Sequence, residues 1–271
     1  MTKTRSLRPA LRTSVAATLA TGLVAALTLV MSTARADSGS GSAWSYPEDA
    51  RWGPDCESGA YQQSPIDFTK ATNVKPATIS LSVPATSFTP SLFAKASHNF
   101  SFAIPDHVQV QVRGQAYQLT ELHIHTLAEH YFDLATQPMI EVHIKSHLVA
   151  DPKKYLVFAI PFWVTLPAPA TDLLPPLINL ARGLPAGTFD LGALLTSFTT
   201  GAFYDYTGSL TTPGCTGGVE FLVLQQPLLT SVFNQVWLMP ALNAKFGSLI
   251  NARKTQSIRD ATQILIVTAT P

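Results

Sequence analysis

The chain has 271 residues, of which 46% are hydrophobic and 13% charged, with 18 Lys+Arg against 17 Asp+Glu. That composition excludes a disordered chain, which cannot bury enough apolar surface, and a near-neutral charge excludes binding to nucleic acid or anionic membranes by electrostatics alone.

The N-terminus carries Lys3, Arg5, Arg8 and Arg12, followed by a stretch from Thr13 to Ala34 without a charged residue. Ala34-Arg35-Ala36 then forms an A-x-A cleavage pattern. The expectation is a secretory signal peptide over 1–36 and a periplasmic or secreted mature chain. The rival is an uncleaved anchor, since the apolar stretch is about long enough to span a bilayer. Cleavage leaves 13 basic and 17 acidic side chains, a mildly acidic body. Residues 37–43 (DSGSGSA) read as a flexible tail, and 44–271 as a single domain. Cys56 and Cys215 are the two cysteines of the chain. In an exported protein they read as one disulfide, the alternative being two buried thiols.

Scattered prolines, at 65, 76, 84, 90, 105 and beyond, break the body into short segments and disfavour a helical bundle. Val108, Val110 and Val112 alternate with polar residues, which predicts a half-buried strand. Gly114 marks a turn, and Tyr117–Thr126 reads as the next antiparallel strand. Further strands are predicted at 139–147, 155–162 and 219–224, and helices at 172–182 and 231–238. The fold class is mainly β (α+β), with small peripheral helices.

His123-Ile124-His125 places two imidazoles on one face of a strand, about 7 Å apart. His143, in Met139-Ile-Glu-Val-His143, lies in the following predicted strand and can complete the set. Three neutral histidines with an open fourth position describe a catalytic zinc site. An H-x-H pair alone is weak evidence, and Glu129 completes the H-x-H-x₃-E spacing of cupin barrels.

The motifs around these histidines resemble those of the α-carbonic anhydrases. Trp44-Ser-Tyr46 is similar to the family's opening W-x-Y, and Gln63-Ser-Pro-Ile-Asp67 to its QSPID signature. Leu122-His-Ile-His-Thr-Leu-Ala-Glu129 resembles F-H-F-H-T-P-S-E, and Tyr206-Thr-Gly-Ser-Leu-Thr-Thr-Pro213 resembles Y-P-G-S-L-T-T-P. Asn251-Ala-Arg253 and Gln256 are similar to the late N-x-R-x-x-Q. A cupin's second motif, P-x-G-x-x-H, has no counterpart here.

The resemblance implies a large, twisted, mostly antiparallel central sheet and a Zn²⁺ cofactor held by His123, His125 and His143. It implies reversible hydration of CO₂ to bicarbonate by hydroxide on zinc, with a secondary esterase activity. The partner is then a small molecule, with neither nucleic acid nor, after signal cleavage, a membrane, and the chain is a monomer or homodimer. Thr211 would orient the hydroxide and Glu129 would accept the threonine's proton; His98 would shuttle the product proton. Glu121, Glu141 and Asn251 would partner the outer nitrogens of the ligands. Tyr46, Val157, Tyr206, Leu210, Thr212 and Val219 would line the pocket, and the disulfide would brace the loop after Thr212. His107, His130 and His147 match no role and read as structural or surface. Lys145 departs from the family, which has a small apolar residue there. Strand parity aims it towards the pocket, so the alternative function is a zinc-retaining binding domain whose CO₂ pocket Lys145 obstructs.

Overall fold

A computed structural model describes residues 45–46, 52–57, 61–93, 98–132 and 137–270. The signal peptide and tail expected over 1–43, and Trp44, lie outside the described residues. No helix among the described residues is long and apolar enough to cross a membrane.

The sheet mixes short strands with long ones, and the strand over 151–165 keeps its 15 residues through Pro152 and Pro161, against the short segments that the prolines predict. β1 (Val74–Ser82), β4 (Phe100–Ala103), β5 (Gln109–Val112), β6 (Gln115–Thr126), β7 (Ile140–Leu148) and β8 (Asp151–Thr165) come first. β10 (Ala202–Ser209), β11 (Gly217–Leu224), β12 (Leu228–Ser231) and β13 (Ile264–Thr270) complete it, with the two-residue β3 (Ser91–Leu92) at one edge. A separate pair joins β2 (Ser87–Phe88) to β9 (Phe189–Asp190). The order is β12-β8-β11-β10-β13-β1-β5-β6-β4-β3, with β7 between β6 and β8. Three pairings are parallel, β1·β13, β8·β11 and β8·β12, and the rest are antiparallel. The expected large, mostly antiparallel sheet is present.

The predicted hairpin forms at Arg113-Gly114, where both residues have positive φ (51° and 73°). Two such residues match the twist of the strands they join. The helices are α1 (Pro54–Glu57), α2 (Pro175–Ala181), α3 (Leu191–Thr200) and α4 (Val232–Phe246). Two helix bounds differ from expectation. α2 starts at Pro175 rather than 172, because Pro175-Pro176 pre-set its first turn. Asp172 instead accepts from Leu174 N, Thr230 Oγ1 and Ser231 N. α4 begins near the predicted start, where Ser231 caps it, but runs past the predicted end through Pro240 to a left-handed Gly247. Buried Leu238, Met239 and Leu242 hold that second half in place.

Alternation sorts the two faces of the sheet. Leu122, Ile124, Val142, Ile144, Phe158 and Ile160 enter the main core together. Their neighbours of opposite parity face a smaller cluster containing Val157, Ala159, Tyr206, Val219 and Phe221. The histidines belong to this second face.

Candidate metal centre

The register across four adjacent strands builds the site. Ser101, His123, His143 and Ala159 pair in sequence across β4, β6, β7 and β8. His125 pairs with Glu141 one rung further along. The ligand-type nitrogens of His123, His125 and His143 all lie within 4.8 Å of one another.

Two of the three rings are held through the outer nitrogen. His125 Nδ1–H donates to the Asn251 carbonyl at 2.6 Å, and His143 Nε2–H donates to Glu141 Oε1 at 2.6 Å. A carbonyl and a carboxylate can only accept, so both tautomers follow from their partners. Glu121 Oε1 stands 3.3 Å from His123 Nδ1, outside hydrogen-bond alignment. The inner nitrogens of His125 and His143 are thereby left bare and turned towards one another. Burial and the neighbouring His123 push His125 down to about 3, and burial, against Glu141, pushes His143 down to about 4. Both imidazoles are therefore neutral, the state a metal requires.

The donor chemistry suits zinc. His125 Nε2 and Glu129 Oε2 are both buried without a hydrogen-bond partner, and an orphaned buried polar atom costs roughly 1–3 kcal/mol. A cation bound by three imidazoles removes that cost for the nitrogen and offsets the nearby carboxylate's charge. Three imidazole nitrogens and no thiolate match a catalytic rather than a structural zinc set. A second grouping, His130, Glu141 and His143, also has converging ligand-type atoms. Those atoms already bond to one another: His130 N and Nδ1 both donate to Glu141, at 3.0 and 2.6 Å.

Glu129 is wholly enclosed. Its Oε1 accepts from Arg253 N at 2.8 Å, while Oε2 lies 3.5 Å from His125 Nε2 and 3.9 Å from His143 Nδ1. Burial raises its pKa, opposed by His143, the Arg253 amide and the Thr211 hydroxyl. Arg253 Nη1 also donates to Gln63 Oε1 and Ser64 O, tying Gln63–Asp67 to the site. Asn251 Nδ2 donates to Ile124 O, and its Oδ1 accepts from Thr126 N, clamping the end of β6.

Thr211 and Thr212 sit in a loop closed by Leu210 N→Thr216 O and Cys215 N→Thr212 O. Cys56 and Cys215 form the expected disulfide, joining α1 to that loop. Val157, Tyr206 and Val219 share one apolar cluster, with Leu210 packed against it. Tyr46 lies elsewhere, with Trp52 and the disulfide, its ring centroid 6.1 Å from that of His125 and 6.5 Å from that of His98. Lys145 is on the expected face, yet its Nζ lies over the Tyr155 ring, 5.0 Å from the centroid. Tyr155 pairs with His147, so the amine has moved one rung away from His143.

His130 gave no functional signal in the sequence. It is buried and structural, linking Glu141 to Tyr206 Oη at 2.7 Å and through it to Ser64 Oγ at 2.8 Å. It lies in an irregular turn after β6, where period-2 parity says nothing about direction.

Three converging imidazoles on one face of a mixed sheet make a site that could hold a metal ion. A family model described as eukaryotic-type carbonic anhydrase matches residues 178–261. No curated protein sequence matches the chain. Among solved structures, an α-carbonic anhydrase from Thermovibrio ammonificans in complex with sulfanilamide is similar at 23% identity and TM-score 0.64, covering 83% of this chain and 100% of that one. The α-carbonic anhydrase of Photobacterium profundum is similar at 26% identity and TM-score 0.60, over 80% and 95% of the two chains. Dioscorin, solved with ascorbate, shares the fold at 20% identity and TM-score 0.62, over 80% and 91%. Fold and family segment agree: the chain has the fold of the α-carbonic anhydrases, and its residues 178–261 match that family's model.

Proposed function

We propose that this chain catalyses the reversible hydration of CO₂ to bicarbonate, using Zn²⁺ held by His123, His125 and His143. The observation that carries the reading is the set of three converging imidazoles whose outer nitrogens each face a polar partner. Zinc in that seat supplies Lewis acidity that makes hydroxide available near neutral pH, for which carbonic anhydrase is the standard example.

The chain's own residues do the rest. Thr211 accepts a hydrogen bond from the attacking oxygen and donates its own proton towards Glu129, which fixes the direction of the attacking lone pair. Val157, Leu210, Val219 and Tyr206 provide the apolar wall beside which CO₂ waits, with Thr212 at its polar border. His98, beyond Tyr46 from His125, takes the released proton outward. The disulfide supports an extracytoplasmic setting, where such bonds persist. The placement of the Lys145 amine over Tyr155 supports an open pocket rather than an obstructed one.

Stopped-flow CO₂ hydration on the zinc-loaded protein, with zinc content measured alongside, tests the reading. The wild type should turn over and lose activity on chelation. Thr211→Ala should keep its zinc and lose roughly 10–100-fold in activity. A zinc-loaded wild type without turnover would sink the proposal and leave a binding domain.

A further inference from the structure

The rung beside His123 and His143 carries a pair of opposite charges. Ala103, Glu121, Lys145 and Val157 pair in sequence across β4, β6, β7 and β8. On that rung, Glu121 and Lys145 are the ionisable members, directly opposite each other between apolar neighbours. Directly opposed charges on one sheet face attract. The two do not form a contact ion pair within 4 Å among the described residues. Glu121 instead turns its Oε1 to His123 Nδ1 at 3.3 Å, while Lys145 lays its amine over Tyr155. Both side chains are only partly exposed, so water screens their fields incompletely.

We propose that Lys145 is a positioning residue for charge: it compensates Glu121 through space, so that a full carboxylate can face His123 without adding a net negative charge to the metal seat. This rests on the zinc reading above. Glu121 alone strengthens the hold on a dication and makes the His123 ring a stronger donor. Lys145, on the next strand and the same rung, acts with the opposite sign. The two effects are felt at the same ligand because Glu121 is two residues from His123 on its own strand and Lys145 is diagonal to it on β7, all on one face. The proximity of an aromatic face also fixes where the cation sits, since an ammonium is attracted to the ring's negative face.

Zinc affinity, measured by chelator competition on the full mature chain, tests this without relying on turnover. Glu121→Gln should weaken zinc binding about tenfold, and Lys145→Met should strengthen it about tenfold. The double variant should return to within about threefold of the wild type, and Lys145→Arg, which keeps the charge, should match the wild type. Lys145→Met leaving zinc affinity unchanged, or weakening it as Glu121→Gln does, overturns the compensation while leaving the zinc reading intact. A Lys145→Arg variant that behaves like Lys145→Met overturns it too, since shape rather than charge would then be responsible. A wild-type chain that takes up no zinc overturns both proposals at once.

Discussion

A buried imidazole must satisfy one nitrogen with a partner that can only accept before the other is committed to a metal. Asn251 O and Glu141 do this for His125 and His143, at 2.6 Å each. The same logic separates His98 from the triad: it is partly exposed and two ring steps from the nearest ligand ring, by way of Tyr46. A shuttle needs that placement, close enough for bridging water and open enough to exchange protons with buffer. His98→Ala should therefore lower turnover in dilute buffer, with added imidazole restoring it. Equal rates in wild type and variant at low buffer would remove His98 from the proton path.

At the level of elements, the loop carrying Ser64 approaches β10 so closely that one position admits only glycine. A Cβ on Gly208 would overlap Ser64 Oγ and come within 2.8 Å of the Tyr206 ring. Ser64 Oγ is bonded at that point to Tyr206 Oη and Ser209 N, so it cannot swing aside cheaply. Gly208→Ala should cost roughly 1–3 kcal/mol, the range for overpacking, read from the urea midpoint. It should also reduce zinc affinity, because Tyr206 connects through His130 to Glu141; unchanged values for both would show that the loop yields. Strand parity makes much of this region legible in the sequence: the strands around 109–126 and 140–148 follow from alternation, the one predicted at 219–224 follows from its apolar run, and the common face of the histidines follows from parity. Helix α3 was equally written there and unread. Asp190 caps it, and Leu191, Leu194, Leu195 and Phe198 repeat at helical spacing. What no local pattern carries is register between distant strands. The parallel pairing of β1 with β13 joins residues about 190 positions apart, and the Arg253 amide reaches Glu129 across 124. The side-chain displacement of Lys145 onto Tyr155 is likewise a tertiary result, since parity gives a face and not a reach.

Across the whole molecule, two buried groups on one face of the sheet and one on the other give acid stability contributions of opposite sign. His125 and His143 titrate at about 3 and about 4 in the fold, against an ordinary 6.5. The unfolded chain therefore binds protons that the fold refuses, and their contribution is lost as pH falls from 6.5 towards 4. Asp205 runs the other way. Burial and Glu220 raise it from 3.8 to about 6, in spite of the Arg113 guanidinium that bridges both carboxylates from the β5–β6 turn. Its contribution is fully present below pH 3.8 and is lost as pH rises through about 6. Two histidines outweigh one aspartate, so the metal-free protein should become less stable between pH 7 and pH 5. Asp205→Asn removes the opposing slope and should make that fall steeper. Urea midpoints of the metal-free wild type and variant at pH 7 and pH 5 check this. A wild-type midpoint that stays level or rises on acidification would mean that the two imidazoles are not held neutral by burial. Zinc adds a further dependence of the same sign as the histidines, because protons compete with the metal for the same nitrogens. The zinc-loaded protein should therefore be more stable than the metal-free form at pH 7, with the gap closing as acid releases the ion.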